Sequence, residues 1–419
     1  MVTSQPFAEL PVDEEALLAR LAHLPAAADV PTAAAASGLS PRLAQELMRS
    51  LAGKGLLTAA FGGGVRGTLY TLHPDAADRA RALLPSIGPE TLGRYLDALI
   101  DTAEQASGLL TPNHRLFPHA SRHHPLPALR LSTAQDARTW LDATVPDLPA
   151  ILTAAGDARE DEAAVALVVA VFARFHLTRG GDLWVTVHEL GLAAAERLQA
   201  PEAVRYMLHT LASGHRERGE HDRAIDYLTR ALAVAHESGD EAAVAQHTRG
   251  IGACHHAAGR YAEARPYLEE ARLRLRQLDR PRDLALTLTL LGSAHTAAGH
   301  PGHAVELLEE ALPLIRSLPH PDPVNTGRIE AFLGQAHSAA DSRALSTLHF
   351  SRALEQFADV GAHHWTARTL EFFGLAARRA GDEKAAALWL RASHAMYQAL
   401  DRPTDTKRLT GLLEGAEGR

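Results

Sequence analysis

A pattern that recurs about every forty residues constrains the fold of this chain more strongly than any other feature of its sequence. The turn-forming residues of the pattern lie 40, 40, 42 and 40 residues apart and are Gly219, Gly259, Gly299, Asp341 and Gly381. Small residues stand five and twelve positions after each turn. The large apolar residues between them are Leu228, Leu268, Leu308, Phe350 and Leu390. A fixed period of this length predicts stacked copies of one structural unit.

Each copy of the pattern predicts a helix, a tight turn and a second helix. Glycine adopts the left-handed backbone conformation that commonly ends a helix. The small residues allow the two helices to approach closely, and the large apolar residue fills the space between them. Because one such pair cannot bury its apolar face alone, the pairs are expected to stack into an α-solenoid.

Several residues of the pattern carry a family signature. These are Leu291-Gly292, Gly259-Arg260-Tyr261, Ala264 and Ala271. The array resembles the tetratricopeptide repeat, which implies a right-handed superhelix over residues 158–413. The superhelix would begin with a degenerate copy at 172–198 and continue with five repeats. Its period exceeds the ~34 residues typical of the family, which indicates longer helices.

Histidines recur four residues before the turn, at His215, His255, His295 and His337, with His176 in the degenerate copy. A residue type that recurs at the same position in successive repeats is expected to have a structural role in the repeat. We therefore expect these rings to pack against the second helix and to hydrogen-bond locally. Consecutive repeats are displaced from one another, so the rings are not expected to converge on a metal ion.

The N-terminal residues 1–85 predict a winged-helix-like domain. Helices are expected at 13–23, 30–39 and 40–56, followed by two short strands around a glycine-rich tip. Residues that could contact DNA are Arg42, Gln45 and Arg49 on the third helix and Arg66 on the wing. The net charge of residues 40–81 is only +3, which is low for a DNA-binding domain. The alternative is a domain used for packing or homodimerisation.

Residues 86–157 predict a helical connector with a loop rich in proline and histidine. His119, His123 and His124 lie in this loop without adjacent carboxylate or cysteine partners, so no metal site is predicted. The order of winged helix, connector and repeats resembles the C-terminal part of actinobacterial AfsR-like regulators of the STAND type, in which an NB-ARC ATPase precedes these regions. No ATPase motif occurs in these 419 residues, so ATP-driven switching is not implied.

The amino-acid composition argues against several classes of function. The net charge of −8 argues against general coating of nucleic acid. The single cysteine, Cys254, excludes an internal disulfide and a cysteine-based zinc site. The longest apolar run, 163–177, is interrupted by Arg174, and no signal peptide is visible. We therefore predict a cytoplasmic protein with no membrane partner, no cofactor and a short tail at 414–419.

The repeat register also predicts a binding groove. In tetratricopeptide arrays the first helix of each pair lines the concave face, with exposed positions thirteen, ten and three residues before the turn. The candidate groove residues are Tyr206, His209, Arg216, Gln246, Arg249, His256, Arg328, Arg368, Glu371 and Arg378. Five arginines against one glutamate indicate an anionic peptide or protein partner, because guanidinium pairs bidentately with carboxylate or phosphate.

The function predicted from these features is that of a non-enzymatic regulator or adaptor. No catalytic triad, paired carboxylates or metal motif stands out in the sequence. One alternative is a DNA-binding transcriptional regulator that uses the repeats as a sensor. A second alternative is a biosynthetic enzyme whose catalytic groups meet in the groove of the repeats.

Overall fold

The computed structural model describes residues 10–83, 89–119, 129–178 and 181–417. The chain forms two compact units. The N-terminal unit comprises Met1–Arg174 and Thr186–Ala203, and the repeat unit comprises Phe175–Val185 and Val204–Arg419. In the described ranges, no helix is both long and apolar enough to cross a membrane. His123 and His124 lie outside the described residues.

The N-terminal unit begins with three helices and a hairpin. Its first elements are α1 (Val12–Leu21), α2 (Val30–Ser37), α3 (Pro41–Gly53), β1 (Leu57–Phe61), β2 (Thr68–Leu72) and α4 (Pro74–Leu83). The two strands pair antiparallel in a register that runs from Leu57 opposite Leu72 to Phe61 opposite Thr68. Ala28 adds a single bridge to Tyr70. The first three helices and the two strands lie near their predicted positions, although α3 ends at Gly53 rather than at residue 56.

Local capping explains the helix boundaries in this region. The Asp29 side chain accepts a hydrogen bond from the Thr32 amide at 2.9 Å and begins α2. The left-handed residue Gly38 ends that helix. Ser40 caps α3 through the Leu43 amide at 3.3 Å. The apolar faces of the helices then meet in a core of fully buried side chains that includes Leu17, Leu18, Met48, Leu51 and Leu56.

The remaining helices of the N-terminal unit pack on α2 and on one another. They are α5 (Pro89–Leu110), α6 (Ala134–Thr144), α7 (Leu148–Asp157) and α8 (Asp161–Ala170), whereas α9 (Phe172–Thr178) and α10 (Gly181–Arg197) contribute residues to both units. The hairpin tip rests against α6. A Cβ atom added at Gly64 would lie 3.2 Å from Cγ2 of Thr139. The predicted wing is therefore covered by the connector.

The repeat unit contains alternating first and second helices. The first helices are α11 (Pro201–Glu217), α13 (Glu241–Ala257), α15 (Pro281–Ala297), α17 (Pro323–Ala339), α19 (His363–Arg379) and α21 (Pro403–Glu417). The second helices are α12 (His221–Glu237), α14 (Tyr261–Gln277), α16 (Pro301–Arg316), α18 (Arg343–Val360) and α20 (Glu383–Ala399). All five predicted turn residues have positive φ, which confirms their role in ending the first helix.

A glycine in the first helix allows close contact with the second. A Cβ atom added at Gly292 would lie 2.6 Å from Cγ of Leu308, and one at Gly334 would lie 2.5 Å from Cδ1 of Phe350. Leu308 and Phe350 are completely buried. The large apolar residues thus fill the space between the paired helices, as predicted, and the small residues that they contact here are glycines of the first helix.

The recurring histidines pack against the second helices, as predicted. His215 stacks on Tyr227 with ring centroids 5.1 Å apart, and His337 stacks on His349 at the same distance. His255 stacks on Tyr267, and His295 meets His303 edge-on. His215 also hydrogen-bonds Glu220 at 2.8 Å. These histidines belong to the scaffold.

Candidate functional site

The first helices form the inner side of the repeat unit. Contacts link α13 with α15, α15 with α17, and α17 with α19. The second helices make their main contacts with the neighbouring first helices instead. The first helices therefore lie on the inner, shorter side of the curved repeat unit. Their faces that are not packed against other helices line its interior.

The predicted groove positions differ in exposure. Most of the candidates are half-buried; these are Tyr206, His209, Arg216, Gln246, Arg249, His256, Arg328, Arg368 and Arg378. Glu371 is only 2% exposed. The equivalent positions Leu286, Thr289 and Ala331 are also buried, so the prediction that they are exposed is wrong. Adjacent first helices approach closely enough there to cover one another's short side chains.

The positive charges of three arginines from different repeats act on His256. Burial, together with the positive charges of Arg328, Arg368 and Arg216, lowers the pKa of His256 to about 4. The ring is therefore neutral at pH 7, and its Nε2 atom lies 2.9 Å from Oγ of Ser293. Arg216 lies on α11, Arg328 on α17 and Arg368 on α19, so positive charges from three repeats act on this ring.

A second pair of rings lies beside this cluster. The Nδ1 atoms of His209 and His247 are 3.3 Å apart. Burial, followed by the positive charge of Arg205 and then that of Arg249, lowers the pKa of His247 to about 3. Burial also lowers the pKa of His209, with further contributions from His247, Arg249 and Arg216. Both rings are therefore neutral, and the cationic groups of this surface are the arginines.

An alternating chain of charged side chains connects the two ends of the repeat unit. We call it the ion-pair chain, and its members in order are Arg216, Glu217, Arg402, Asp405, Arg408, Glu371 and Arg368. Glu217 lies 3.8 Å from both Arg216 and Arg402. Arg408 donates to Asp405 at 3.0 Å and to Glu371 at 2.9 Å. The chain begins and ends with a guanidinium.

Sequence reasoning missed Arg402 and Arg408. Arg402 directly precedes the sixth first helix, α21, and Arg408 lies within it, beyond the five repeats whose register predicts the groove residues. The signal was present, because Arg408 follows Arg368 by the same forty residues that separate Arg368 from Arg328. Extending the period by one copy would have found Arg408.

Two arginines of the inner face lack close acceptors. In the described part of the chain, neither Arg216 nor Arg249 donates a hydrogen bond. The nearest carboxylate oxygens are 3.8 Å away on Glu217 and 3.7 Å away on Asp283. The side chains are only 22% and 14% exposed. Among the described residues, Nε of Arg249 is buried without a hydrogen-bond partner, so this guanidinium is incompletely hydrogen-bonded.

The remaining candidate arginines have better contacts. Arg328 donates to Oδ1 of Asn325 at 2.8 Å, and its guanidinium lies 4.7 Å from the ring centre of Trp365. Arg378 pairs with Glu383 of α20 at 3.4 Å. Arg378 is therefore paired within its own repeat, and Arg328 contacts the amide of Asn325 and the ring of Trp365.

The candidate DNA-binding residues differ in exposure and in their partners. Arg42 is highly exposed and pairs with Glu46, Arg49 is exposed, and Gln45 is half-buried. The prediction that Arg66 is exposed on the wing is wrong. Its side chain is 5% exposed, with Nε 3.2 Å from Oδ2 of Asp29 and Nη1 bonded to the Ala143 carbonyl. A buried carboxylate and the packing of the tip on α6 draw this arginine inward.

Of the three loop histidines considered above, His119 lies within the described residues and has a partner. His119 lies 2.6 Å from the Asp97 carboxylate. Across the residues that the structure describes, no three histidine, cysteine, aspartate or glutamate side chains are grouped to hold a metal ion.

Comparisons with known proteins agree with this architecture. The tetratricopeptide repeat family model matches residues 203–272 and 241–317. No curated protein matches the sequence. The crystal structure of the apo form of RapI is 13% identical, with coverage of 62% of this chain and 93% of that chain and a TM-score of 0.51.

A second similar structure belongs to a larger protein. A Pyrococcus horikoshii signal-transduction ATPase with numerous domains and a tetratricopeptide repeat sensor is 14% identical, with coverage of 97% of this chain and 60% of that chain and a TM-score of 0.44. At these identities the likeness concerns the fold. The chain contains tetratricopeptide repeats arranged as an α-solenoid.

Proposed function

We propose that the protein is a regulator or adaptor that binds an anionic segment of a peptide or protein partner inside the repeat unit. The observation that carries this proposal is the state of Arg216 and Arg249, two largely buried guanidiniums whose nearest carboxylates lie beyond hydrogen-bond distance. The positive charges of Arg216, Arg328 and Arg368 also act on His256.

The energetic reason is the cost of a buried donor without an acceptor. A guanidinium presents several N–H groups in a fixed fork, and leaving such groups unsatisfied costs about 1–3 kcal/mol each. A carboxylate or phosphate that enters the interior accepts two of these bonds at once. Binding an anion therefore removes a penalty that the free protein carries.

The test is a binding measurement with short labelled peptides of equal length, one rich in glutamate and one rich in lysine. We expect the acidic peptide alone to bind, and to bind more weakly at high salt. The double variant R216Q/R249Q should weaken binding about tenfold or more, because a hydrogen bond to a charged group contributes about 1.5–3 kcal/mol.

The matched control is Arg378→Gln, which removes an inner-face arginine that already pairs with Glu383. It should leave the affinity for the acidic peptide within about twofold, because exposed ion pairs contribute little. Equal binding of the acidic and basic peptides, or full retention of binding by the double variant, would overturn the proposal.

DNA binding by the N-terminal unit is the second candidate. The order α1, α2, α3, β1 and β2, with Ala28 bridging Tyr70, supports a winged-helix-like fold for this region. Arg49 is exposed on α3, but Arg42 is paired with Glu46 and Arg66 is buried. Fluorescence anisotropy with labelled duplex DNA tests this candidate. Salt-sensitive binding that is lost in Arg49→Ala would favour it over the adaptor function.

A further inference from the structure

We propose that the free edge of strand β1 pairs with the same strand of a second copy of this chain, so that two hairpins join into one antiparallel sheet. This edge belongs to the N-terminal unit and is independent of the anionic partner proposed for the repeat unit. Three features carry the pairing: the outward backbone groups of β1, the absence of charge along the strand, and the symmetry of its apolar side chains.

The outer edge of β1 presents backbone groups that can bond to another strand. Just beyond the paired residues, the Gly62 amide donates to the Gly67 carbonyl at 2.7 Å, which makes the even-numbered residues of β1 those that bond to β2. Because successive residues of a strand direct their N–H and C=O groups to opposite edges, those of Leu57, Ala59 and Phe61 point away from β2. Within the described ranges, no hydrogen bond reaches these outward groups.

The strand lacks the features that usually prevent two edges from pairing. Natural edge strands commonly carry a lysine, a proline or a bulge that blocks another strand. Residues 57–61, Leu-Thr-Ala-Ala-Phe, contain no charge and no proline, and they pair with β2 in a continuous register. The charged residues nearest in sequence already have partners, since Lys54 pairs with Glu14 and Arg66 pairs with Asp29. These residues therefore bring no unpaired like charges to a symmetric contact.

The side chains of β1 are self-complementary about Ala59. In an antiparallel pair centred on this residue, Ala59 faces its own copy and Leu57 faces Phe61 of the second copy, in pairs that exchange both N–H···O bonds. The three side chains share one face of the strand, because side chains alternate. Leu57 belongs to the core of the N-terminal unit and is 4% exposed, whereas Phe61 is 84% exposed. The pairing therefore places each exposed phenyl ring against the edge of the other copy's core.

The same symmetry favours a second copy over an unrelated strand. An extended segment of another protein could bond to the same backbone groups, but its sequence would have to supply an apolar residue opposite Phe61. A second copy supplies Leu57 there, and a twofold axis forms each contact twice. The strand has only five residues, so its interface falls short of the ~1,200–2,000 Å² that stable complexes bury. We therefore expect a weak dimer whose population rises with protein concentration.

Sedimentation velocity on the full chain, over a range of concentrations, tests the pairing. We expect a monomer–dimer equilibrium that Phe61→Lys weakens at least about tenfold, because the aromatic contact is lost at both ends of the symmetric pair and a charge is added. Ala59→Pro should also weaken it, since proline removes the central outward N–H and none of the bonds to β2. The matched control Thr71→Lys adds the same charge at an exposed position of β2 and should leave the dimer unchanged.

Cross-linking with a short bismaleimide tests the register. The native Cys254 is buried, so the thiol introduced by each variant is the reactive one. Ala59→Cys should cross-link to its own copy, whereas Thr71→Cys, one strand further from the axis in each copy, should not. A chain that stays monomeric at every concentration would overturn the proposal and leave the edge to a strand of another protein. A dimer that survives Phe61→Lys and Ala59→Pro, or that cross-links equally at both positions, would overturn it too.

Discussion

Arginines in the two units of the molecule differ in how completely they are hydrogen-bonded. In the N-terminal unit, Arg66 is almost fully buried, and its guanidinium bonds Asp29 and the carbonyls of Ala143 and Ala27. In the repeat unit, Arg216 and Arg249 are also largely buried but make only ion pairs near 3.8 Å and 3.7 Å. The guanidinium of Arg66 is therefore fully hydrogen-bonded without a ligand, whereas those of Arg216 and Arg249 are not.

This difference separates structural arginines from candidate binding arginines better than sequence position does. Arg66 was predicted to contact DNA because it lies in a glycine-rich tip. The contacts show that it joins α2, the hairpin and α6. The number of close acceptors around a guanidinium therefore distinguishes a structural arginine from a candidate binding arginine. The predictions below test this distinction, from the largest expected effect on stability to the smallest.

The largest loss of stability is expected for Arg66→Met. The substitution leaves the buried Asp29 carboxylate without its cationic partner, and breaking a buried ion pair costs about 3–5 kcal/mol. Urea unfolding followed by circular dichroism gives the change for the N-terminal unit. The control Arg42→Met removes an exposed pair and should change stability by less than about 1 kcal/mol. Equal effects of the two variants would refute the structural role of Arg66.

A smaller loss is expected for Gly292→Ala in the repeat unit. The new methyl group would lie 2.6 Å from Leu308 and 3.2 Å from the Ala304 carbonyl, and overpacking of this kind costs about 1–3 kcal/mol. The matched change Gly108→Ala in α5 meets no atom within 4 Å. It should stabilise the N-terminal unit by up to about 1 kcal/mol. Stabilisation by both variants would contradict the close contact between the paired helices.

The repeat unit should also lose stability in acid. The pKa of His256 falls from 6.5 to about 4 and that of His247 to about 3 on folding. The unfolded chain therefore binds protons at higher pH than the folded one, and stability decreases as the pH falls from 6.5 toward 4. His247→Asn should flatten this dependence, measured by urea unfolding at pH 7 and pH 5. The exposed control His303→Asn should not, and an identical slope for both variants would contradict the prediction.

The smallest change in stability is expected for R216Q/R249Q. Removal of two guanidiniums without close acceptors should leave the free energy of unfolding within about 1 kcal/mol of the parent chain. The same variant is expected to lose anion binding. A thermal melt of the full chain, with and without the acidic peptide, measures both effects. A loss of stability comparable to that of Arg66→Met would show that these arginines serve the fold.

Much of the fold could be predicted because local chemistry determines it. The positive φ of Gly219 and of Asp341 follows from residues adjacent in the sequence. The stacking of His215 on Tyr227 follows from the repeat register. The ion-pair chain that links Arg216 to Arg368 could not be predicted, because it depends on the sum of small rotations between successive repeats. Arg66 was misassigned because its partner Asp29 is remote in sequence.

The ion-pair chain has a consequence for how the solenoid comes apart. In a linear repeat protein each unit touches only its neighbours, so terminal helices fray first and unfolding proceeds inward. Here Arg402 and Arg408 at the start of α21 join Glu217 of α11 and Glu371 of α19. Loss of the last helix would release contacts in the first repeat as well. We therefore expect the two ends of the repeat unit to unfold in one cooperative transition, because the terminal helix holds them together.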